Sequence, residues 1–252
     1  MHLDPTQRFS SRVEDYIRYR PSYPRGITDL LARECGLTAH SRIADIGSGT
    51  GLLAEVFLDF GCEVLGVEPN PGMRLAGERA LAGRPRFHSV DGRAEASTLP
   101  DRSVDFVTAA QAFHWFEPEQ ARTEFRRILQ PAGWVVLVWN ERRSVPGFMA
   151  GYEDLVARYG PERPHVETHQ LVHFFGDTAW RLTTLPNQQQ FDLQGLRGRF
   201  LSSSYAPLRG TPSYEPLMEE LGRLFVEHQR SGRGTLLYET EVYFGKLRAS
   251  PA

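Results

Sequence analysis

The residues best suited to chemistry lie between positions 45 and 116. Asp45 precedes three glycines spaced two apart, Gly47, Gly49 and Gly51, with Ser48 and Thr50 between them. Glycines lack a Cβ, so their backbone can turn sharply and a ligand can lie against it. Glu68, Glu95, Gln111 and His114 follow. The glycine spacing separates the candidate ligands. A nucleoside triphosphate needs a lysine and a hydroxyl at the end of the loop, but Gly51 is followed by Leu52. A dinucleotide wants G-x-G-x-x-G, which sets the pyrophosphate on a helix N-terminus. The third glycine would then stand at position 52, so Leu52 argues against an NAD-dependent oxidoreductase. The G-x-G-x-G found here suits a ligand without phosphate whose ribose and amino-acid tail lie against the backbone. A purely structural turn is the alternative.

Glu68 can accept the hydroxyl hydrogens of an adenosine ribose, as the corresponding acid of dinucleotide folds does. Alternatively it is an acid favoured by the dipole of a following helix. Asp45 suits an ammonium group, reached through water, or else caps the loop's own N–H groups. His114, beside Phe113, Trp115 and Phe116, could act as a base or orient an acceptor oxygen; a packed histidine bonded to backbone is the other reading. Tyr16, Tyr19, Arg20 and Tyr23 read as a cap over the site. Arg20 would pair with a carboxylate in a bidentate fork, or else only bind backbone. Arg199, Ser203, Ser204, Tyr205 and Arg209 form a second polar and aromatic group that could line an acceptor pocket, with Arg209 suited to a carboxylate. An ordinary loop and helix end would have the same composition. His165, His169 and His173 are spaced by four, as metal ligands on a helix can be. Pro164 precedes them and no supporting ligand pattern accompanies them, so no metal is expected and a solvated or lid role is preferred.

Positioning these residues requires alternating strands and helices. Ile43, Ala44 and Ile46 read as a buried strand ending at the glycine loop, and Leu52, Leu53, Val56, Phe57 and Phe60 as the helix that follows. Val64 to Val67 is a second strand. Asn70 then N-caps a helix whose first position is Pro71. Arg86 to Val90 and Val104 to Ala110 are further strands. Glu117-Pro118 opens a helix, Pro131-Ala132-Gly133 breaks it, and Trp134 to Trp139 is a fifth strand. This alternation argues for a mostly parallel sheet with right-handed crossovers. Ligands of such sheets settle beyond the carboxyl ends of the strands. After Asn140 the rhythm changes. A helix ends at Gly160-Pro161, residues 161–180 are poorly periodic, Gln188 to Leu193 reads as a strand, and Leu217 to His228 shows a helical face. Residues 236–244 alternate as a strand does, and the two late strands suggest a hairpin-like antiparallel edge.

The chain has 252 residues, a net charge of −2, 40% hydrophobic and 24% charged residues. That suits a soluble globular protein with a sizeable core. Acids and bases are mixed, so nucleic acid is not an expected partner. The apolar run from Trp134 to Trp139 is too short for a bilayer, and Met1 to Pro5 lacks the features of a secretory signal. Two cysteines, Cys35 and Cys62, form no disulfide framework, which favours a reducing cytoplasm.

Five ordered segments within residues 45–116 together resemble the class I S-adenosylmethionine-dependent methyltransferases. They are Asp45 to Gly51, Val67-Glu68-Pro69, Gly92-Arg93-Ala94-Glu95 with Leu99-Pro100, Ser103 to Val107, and Gln111-Ala112-Phe113-His114-Trp115-Phe116. The resemblance implies an α/β fold, a Rossmann-like doubly wound seven-stranded sheet, mostly parallel with one antiparallel strand. A lid from the N-terminal segment and the region after strand five would complete it. The implied cofactor contacts are Gly47, Ser48, Gly49, Gly51, Glu68 and Pro69, with Ala94 backbone and the Glu95 side chain at the adenine and Gln111 at the methionine part. Glu95 as a solvated loop acid stays open. Arg20-Pro21-Ser22-Tyr23-Pro24 and Ala112 to Phe116 resemble a narrower branch, the trans-aconitate methyltransferase-like enzymes.

The expected organisation is one methyltransferase domain over 1–252. It comprises an N-terminal helical cap (1–40), a cofactor-binding core (41–140), a lid or substrate insertion (141–233) and a final strand (234–246). The expected activity is methyl transfer from S-adenosyl-L-methionine, giving S-adenosyl-L-homocysteine, to a small-molecule acceptor, with a carboxylate as one candidate. His114 is the catalytic candidate. Arg20 and Asp45 join the cofactor set, and Tyr16, Tyr19, Phe113, Trp115, Tyr205 and Arg209 the acceptor set. A cytoplasmic monomer or homodimer without membrane or nucleic-acid partners is expected. The rival readings are a non-catalytic cofactor-binding sensor or partner subunit and, behind it, the oxidoreductase.

Overall fold

Five short apolar runs pair side by side into the first part of a sheet: β1 (Arg42–Ile46), β2 (Glu63–Val67), β3 (Phe87–Val90), β4 (Val104–Ala110) and β5 (Leu129–Arg142). The computed structural model describes residues 18–160, 168–176, 180–203 and 206–247. Adding β6 (Arg181–Phe191) and β7 (Gly234–Gly245) completes a seven-stranded sheet of order β3-β2-β1-β4-β5-β7-β6. The pairs β3–β2, β2–β1, β1–β4 and β4–β5 are parallel. The sheet is mostly parallel with antiparallel pairing, which therefore falls at its β5-β7-β6 end.

Helices cover both faces, as parallel strands buried on both sides require. On one face Ile43, Val64, Phe106 and Val136 pack with Ile27 and Leu31 of α1 (Gly26–Cys35) and Leu53 and Phe57 of α2 (Leu52–Phe60). On the other, Ala44, Ile46, Val107 and Leu137 pack with Phe125 of α4 (Pro118–Ile128) and Phe174 and Phe175 of α6 (Thr168–Phe175). Alternate residues of one strand thus serve opposite faces. α3 (Pro71–Ala80) begins as its sequence suggests: Asn70 Oδ1 accepts from Met73 N at 3.1 Å and Pro71 takes the first helical position. Arg86, expected in β3, lies just before it.

The described residues fall into two compact units. One holds 22–139, 168–176, 180–185 and 240–247; the other holds 18–21, 140–160, 186–203 and 206–239. β5, β6 and β7 each have residues in both. The stretch expected as a single insertion, 141–233, is therefore divided between them. The second unit has its own core, where α5 (Phe148–Tyr159), α7 (Leu193–Leu201) and α8 (Tyr214–His228) bring Tyr152, Phe200, Leu196, Leu221 and Phe225 together.

Three expectations change. Part of the stretch read as aperiodic, 168–175, is the helix α6. The late strand begins at Arg181 rather than Gln188 and ends at Phe191, because Asp192 accepts from Gly195 N at 2.7 Å and starts α7. β6 is the edge of the sheet, where a proline such as Pro186 is tolerated and polar residues face water. Finally, β6 and β7 lie side by side at the antiparallel end of the sheet as expected, but α7 and α8 separate them in the chain, so no hairpin turn joins them.

Candidate functional site

The glycine loop leaves the end of β1 beside the ends of β2 and β4. Gly47, Gly49 and Gly51 all have left-handed backbones, with φ of +67°, +56° and +85°. The surroundings of Gly47 and Gly51 are also tight. A Cβ on Gly47 would stand 2.8 Å from the Ala112 Cβ, and one on Gly51 2.6 Å from the Leu81 side chain. The loop is pinned to β2, since Gly47 N and Ser48 N both donate to Val67 O, at 2.8 and 3.2 Å.

Glu68 ties this loop to the next strand–helix turn. Its Oε2 accepts from Gly49 N at 2.9 Å and its Oε1 from Asn70 N at 2.8 Å. The residue is 8% exposed. Burial raises its pKa, and the two backbone N–H groups and the Arg74 charge oppose that rise. A carboxylate has about four acceptor positions, so one remains on each oxygen for a pair of vicinal hydroxyls. Arg74 Nη1 donates to the Glu68 carbonyl at 3.0 Å and pairs with Asp91 at 3.1 Å, bracing the turn from α3. Pro69 is half-buried within it.

Asp45 lies beneath the loop, 2% exposed, and accepts from the Thr108 hydroxyl at 2.8 Å. Burial pushes its carboxyl up to about 7; the Glu68 charge adds to this, while Thr108 and the backbone N–H of Ala54 oppose it. Gln111, the residue after β4, is in a left-handed conformation, φ +52°, with its N–H on Val138 O at 2.9 Å. A non-glycine residue rarely adopts that backbone, and here it turns the chain back so that Ala112 meets Gly47.

Ala94 and Glu95 sit at the tip of a turn closed by two hydrogen bonds between Arg93 and Ala96, each 3.1 Å. Ala94 is buried, and Glu95 Oε1 accepts from Glu117 N at 2.9 Å, at the start of α4. The same loop is anchored through Ser97, whose N and Oγ both donate to Glu124 Oε1, at 2.8 and 2.5 Å.

Phe113, His114 and Trp115 form a single 3-10 turn. Phe113 is 2% exposed and edge-on to Phe116, Trp139 and Phe174, which makes it a core side chain. His114 and Trp115 are half-buried, their rings 4.8 Å apart. Asp45, the glycines, Glu68, Pro69, Ala94, Glu95, Gln111, Phe113, His114 and Trp115 thus all belong to the first unit.

Apart from His169 and His173, the remaining candidates belong to the second unit or lie outside the described residues. Tyr16, Ser204, Tyr205 and His165 fall outside them. Tyr19 packs its ring against Gly198 of α7, where a Cβ would meet it at 2.2 Å. Arg20 Nη2 donates to Ser202 O at 3.2 Å, a contact with backbone. Arg199 is 3% exposed, with Nε on Tyr238 OH and Nη1 on Ser203 Oγ, both 3.2 Å. Arg209 is exposed. In the first unit, His169 and His173 are exposed on α6, and His173 pairs with Glu119. Among the described residues no group of three or more His, Cys, Asp or Glu could hold a metal, and no helix is long and apolar enough to cross a membrane.

Two supporting residues were not singled out from the sequence. Thr108 had one signal, a hydroxyl inside an otherwise apolar strand. Arg74 had none, since a surface arginine on a helix looks the same whether or not it braces a turn.

Residues 44–137 match the family model described as a methyltransferase domain. An uncharacterized methyltransferase of Mycobacterium tuberculosis is 38% identical over 164 residues, 65% of each chain. The chain thus spans somewhat less than two-thirds of that relative's length. An uncharacterized methyltransferase-like protein of Schizosaccharomyces pombe is 29% identical over 245 residues, 93% of each chain. Among solved structures, a protein of Anaeromyxobacter dehalogenans provisionally named a type II methyltransferase superposes with a TM-score of 0.73 at 24% identity, covering 91% of this chain and 98% of that one. The fold is a Rossmann-like α/β fold, shared with that structure.

Proposed function

We propose that this chain is an S-adenosylmethionine-dependent methyltransferase of class I, acting on a small-molecule acceptor. The observation that carries the reading is Glu68. Its carboxylate is fixed by Gly49 N and Asn70 N at the mouth of a glycine loop whose three glycines all hold left-handed backbone, and each oxygen keeps an acceptor position for a ribose hydroxyl. The residues present fit the cofactor. The glycine loop offers a flat backbone for its amino-acid tail, Asp45 a buried carboxylate for its ammonium, Gln111 a polar end for its methionine part, and the Ala94–Glu95 turn a wall for its adenine.

When bound, the sulfonium supplies an already activated methyl group for in-line displacement. The protein's task is then to orient the acceptor and exclude water. Orientation of this kind contributes on the order of 7–11 kcal/mol in favourable cases. His114, half-buried on the turn after β4, is the group in this unit suited to take a proton from an acceptor hydroxyl or to orient its oxygen. An acceptor already ionised, such as a carboxylate, needs no base. The likeness of Arg20 to Pro24 and Ala112 to Phe116 to the trans-aconitate methyltransferase-like branch supports an acidic acceptor. The absence of a basic run supports a small molecule over nucleic acid.

Titration calorimetry with S-adenosylmethionine and with NAD tests the cofactor. Binding of the first and not the second is expected; the reverse result overturns the reading. A methyl-transfer assay over small acids, phenols and quinols tests the activity. Failure to form demethylated cofactor with every acceptor would favour a binding protein or partner subunit.

A further inference from the structure

Asp45 and Thr108 are register partners on the adjacent parallel strands β1 and β4. Neither is open to solvent, at 2% and 0% exposure. The Thr108 hydroxyl donates to Asp45 Oδ1 at 2.8 Å, 63 residues away in the chain. Valine has nearly the same shape, and Thr108 differs from it by the hydroxyl alone. At a fully buried strand position the apolar residue would be the simpler choice. A hydroxyl donated to a carboxylate favours its charged form.

We propose that Thr108 is a positioning residue that holds Asp45 ionised, and that cofactor binding is coupled to proton loss from Asp45. This rests on the S-adenosylmethionine reading above. A cation placed over the glycine loop is attracted by ionised Asp45. Protonated Asp45 offers it no charge and carries an O–H that needs an acceptor of its own.

The groups facing Asp45 set where that exchange occurs. From β4 comes the Thr108 hydroxyl and from α2 the backbone N–H of Ala54, both favouring the charge. From the end of β2 comes Glu68, which opposes it; Glu55, the acid in the first turn of α2, is exposed. Arg74 on α3 acts on Glu68. Burial is the largest influence, and together they put Asp45 at about 7. Both of its forms are therefore populated near neutral pH, and removing the Thr108 hydroxyl shifts the balance towards the protonated one.

The test is calorimetry of S-adenosylmethionine binding to the full chain over about pH 5.5–9, a range that brackets neutrality on both sides. Wild type, Thr108→Val, Thr108→Ser and Asp45→Asn are compared. Wild-type affinity should fall on the acid side, approaching a tenfold loss per pH unit. Thr108→Val should move the midpoint to higher pH by about one unit, leaving binding roughly fivefold weaker at pH 7, about tenfold weaker well below it and close to wild type at the alkaline end. Thr108→Ser should follow wild type, and Asp45→Asn should lose the acid-side fall. The cofactor's own amine titrates alike in all four, so differences between curves belong to the protein.

A Thr108→Val curve parallel to wild type, an Asp45→Asn curve that keeps the acid-side fall, or a flat wild-type curve each overturns the proposal. If Thr108→Val does not melt cooperatively, Asp45→Asn against wild type decides. Wild type that binds at all pH values with a flat profile removes this proposal alone. Wild type that binds at none removes the methyltransferase reading and this proposal with it.

Discussion

At the scale of single residues, the site depends on a few backbone and carboxylate positions. Glu68 has two duties, bridging the glycine loop to the β2–α3 turn and offering its remaining acceptor positions to a ribose. Glu68→Ala should therefore weaken S-adenosylmethionine binding by roughly 1.5–3 kcal/mol, the range for lost hydrogen bonds to a charged group; an unchanged dissociation constant in calorimetry would take it out of the site. Gly51 has a different vulnerability. Its φ of +85° and the Leu81 side chain 2.6 Å from any added Cβ both oppose substitution. Gly51→Ala should cost about 1–2 kcal/mol for the left-handed backbone, beyond whatever Leu81 must move. Thermal melting should fall by about 2–4 °C for each kcal/mol in a chain of this size, and an unchanged melting point would mean the loop relaxes elsewhere. The glycines and Glu68 were legible because each stands at the boundary of a periodic run, where only special backbone or a charge makes sense. The pairing of Asp45 with Thr108 was not, because sequence does not reveal which residues of β1 and β4 stand in register.

At the scale of elements, the loop from Gly92 to Asp101 is held by α4 rather than by the strands it joins. Arg127 on α4 grips Glu124 through Nε and Nη2, at 2.8 and 2.7 Å, and also reaches Leu99 O at 2.8 Å and Asp101. Glu124 in turn receives Ser97 N and Oγ. Burial acts against the Glu124 charge, but Arg127 and Ser97 outweigh it and hold its carboxyl below the usual range. The network fixes the turn that carries Ala94 and Glu95. Arg127→Met keeps much of the aliphatic stem and removes the fork. It should weaken binding of S-adenosylmethionine and of adenosine alone by a similar factor, since both need the same turn, and should speed amide exchange in residues 93–101. Loss confined to the methionine-bearing ligand would contradict that assignment. Elements with strong periodicity, such as β1, α2 and α3, were readable from pattern alone. β6 was not readable over its full length. An edge strand of Leu, Thr, Pro, Asn and Gln keeps the alternation without the hydrophobicity that usually marks it.

At the scale of the molecule, the distribution of acids predicts how stability follows pH. Glu34, Asp59, Glu124 and Glu220 all have pKa values lowered by hydrogen bonds and nearby arginines or, for Glu220, first by Tyr159; in Glu124 this overcomes burial. Such groups bind fewer protons folded than unfolded. Their contribution is present above the ordinary carboxylate range and is lost as pH falls through the folded values. Asp45 and Glu68 have the opposite sign, raised chiefly by burial. Each binds more protons folded than unfolded, so the folded state loses stability as pH rises from the ordinary range towards the folded value, which for Asp45 is about 7. The two trends meet in weakly acid solution. The unliganded protein should melt at its highest temperature near about pH 5, between the ordinary carboxylate range and neutrality. It should lose stability on both sides, and Asp45→Asn should flatten the fall towards neutral pH while leaving the acid limb in place. A melting temperature that rises steadily from pH 5 to 7 in wild type would mean that burial does not raise the Asp45 carboxyl above the ordinary range. A variant more stable than wild type at neutral pH would show the reverse. The chain would then keep a buried charge that its fold alone disfavours, at the position where a cationic ligand can use it.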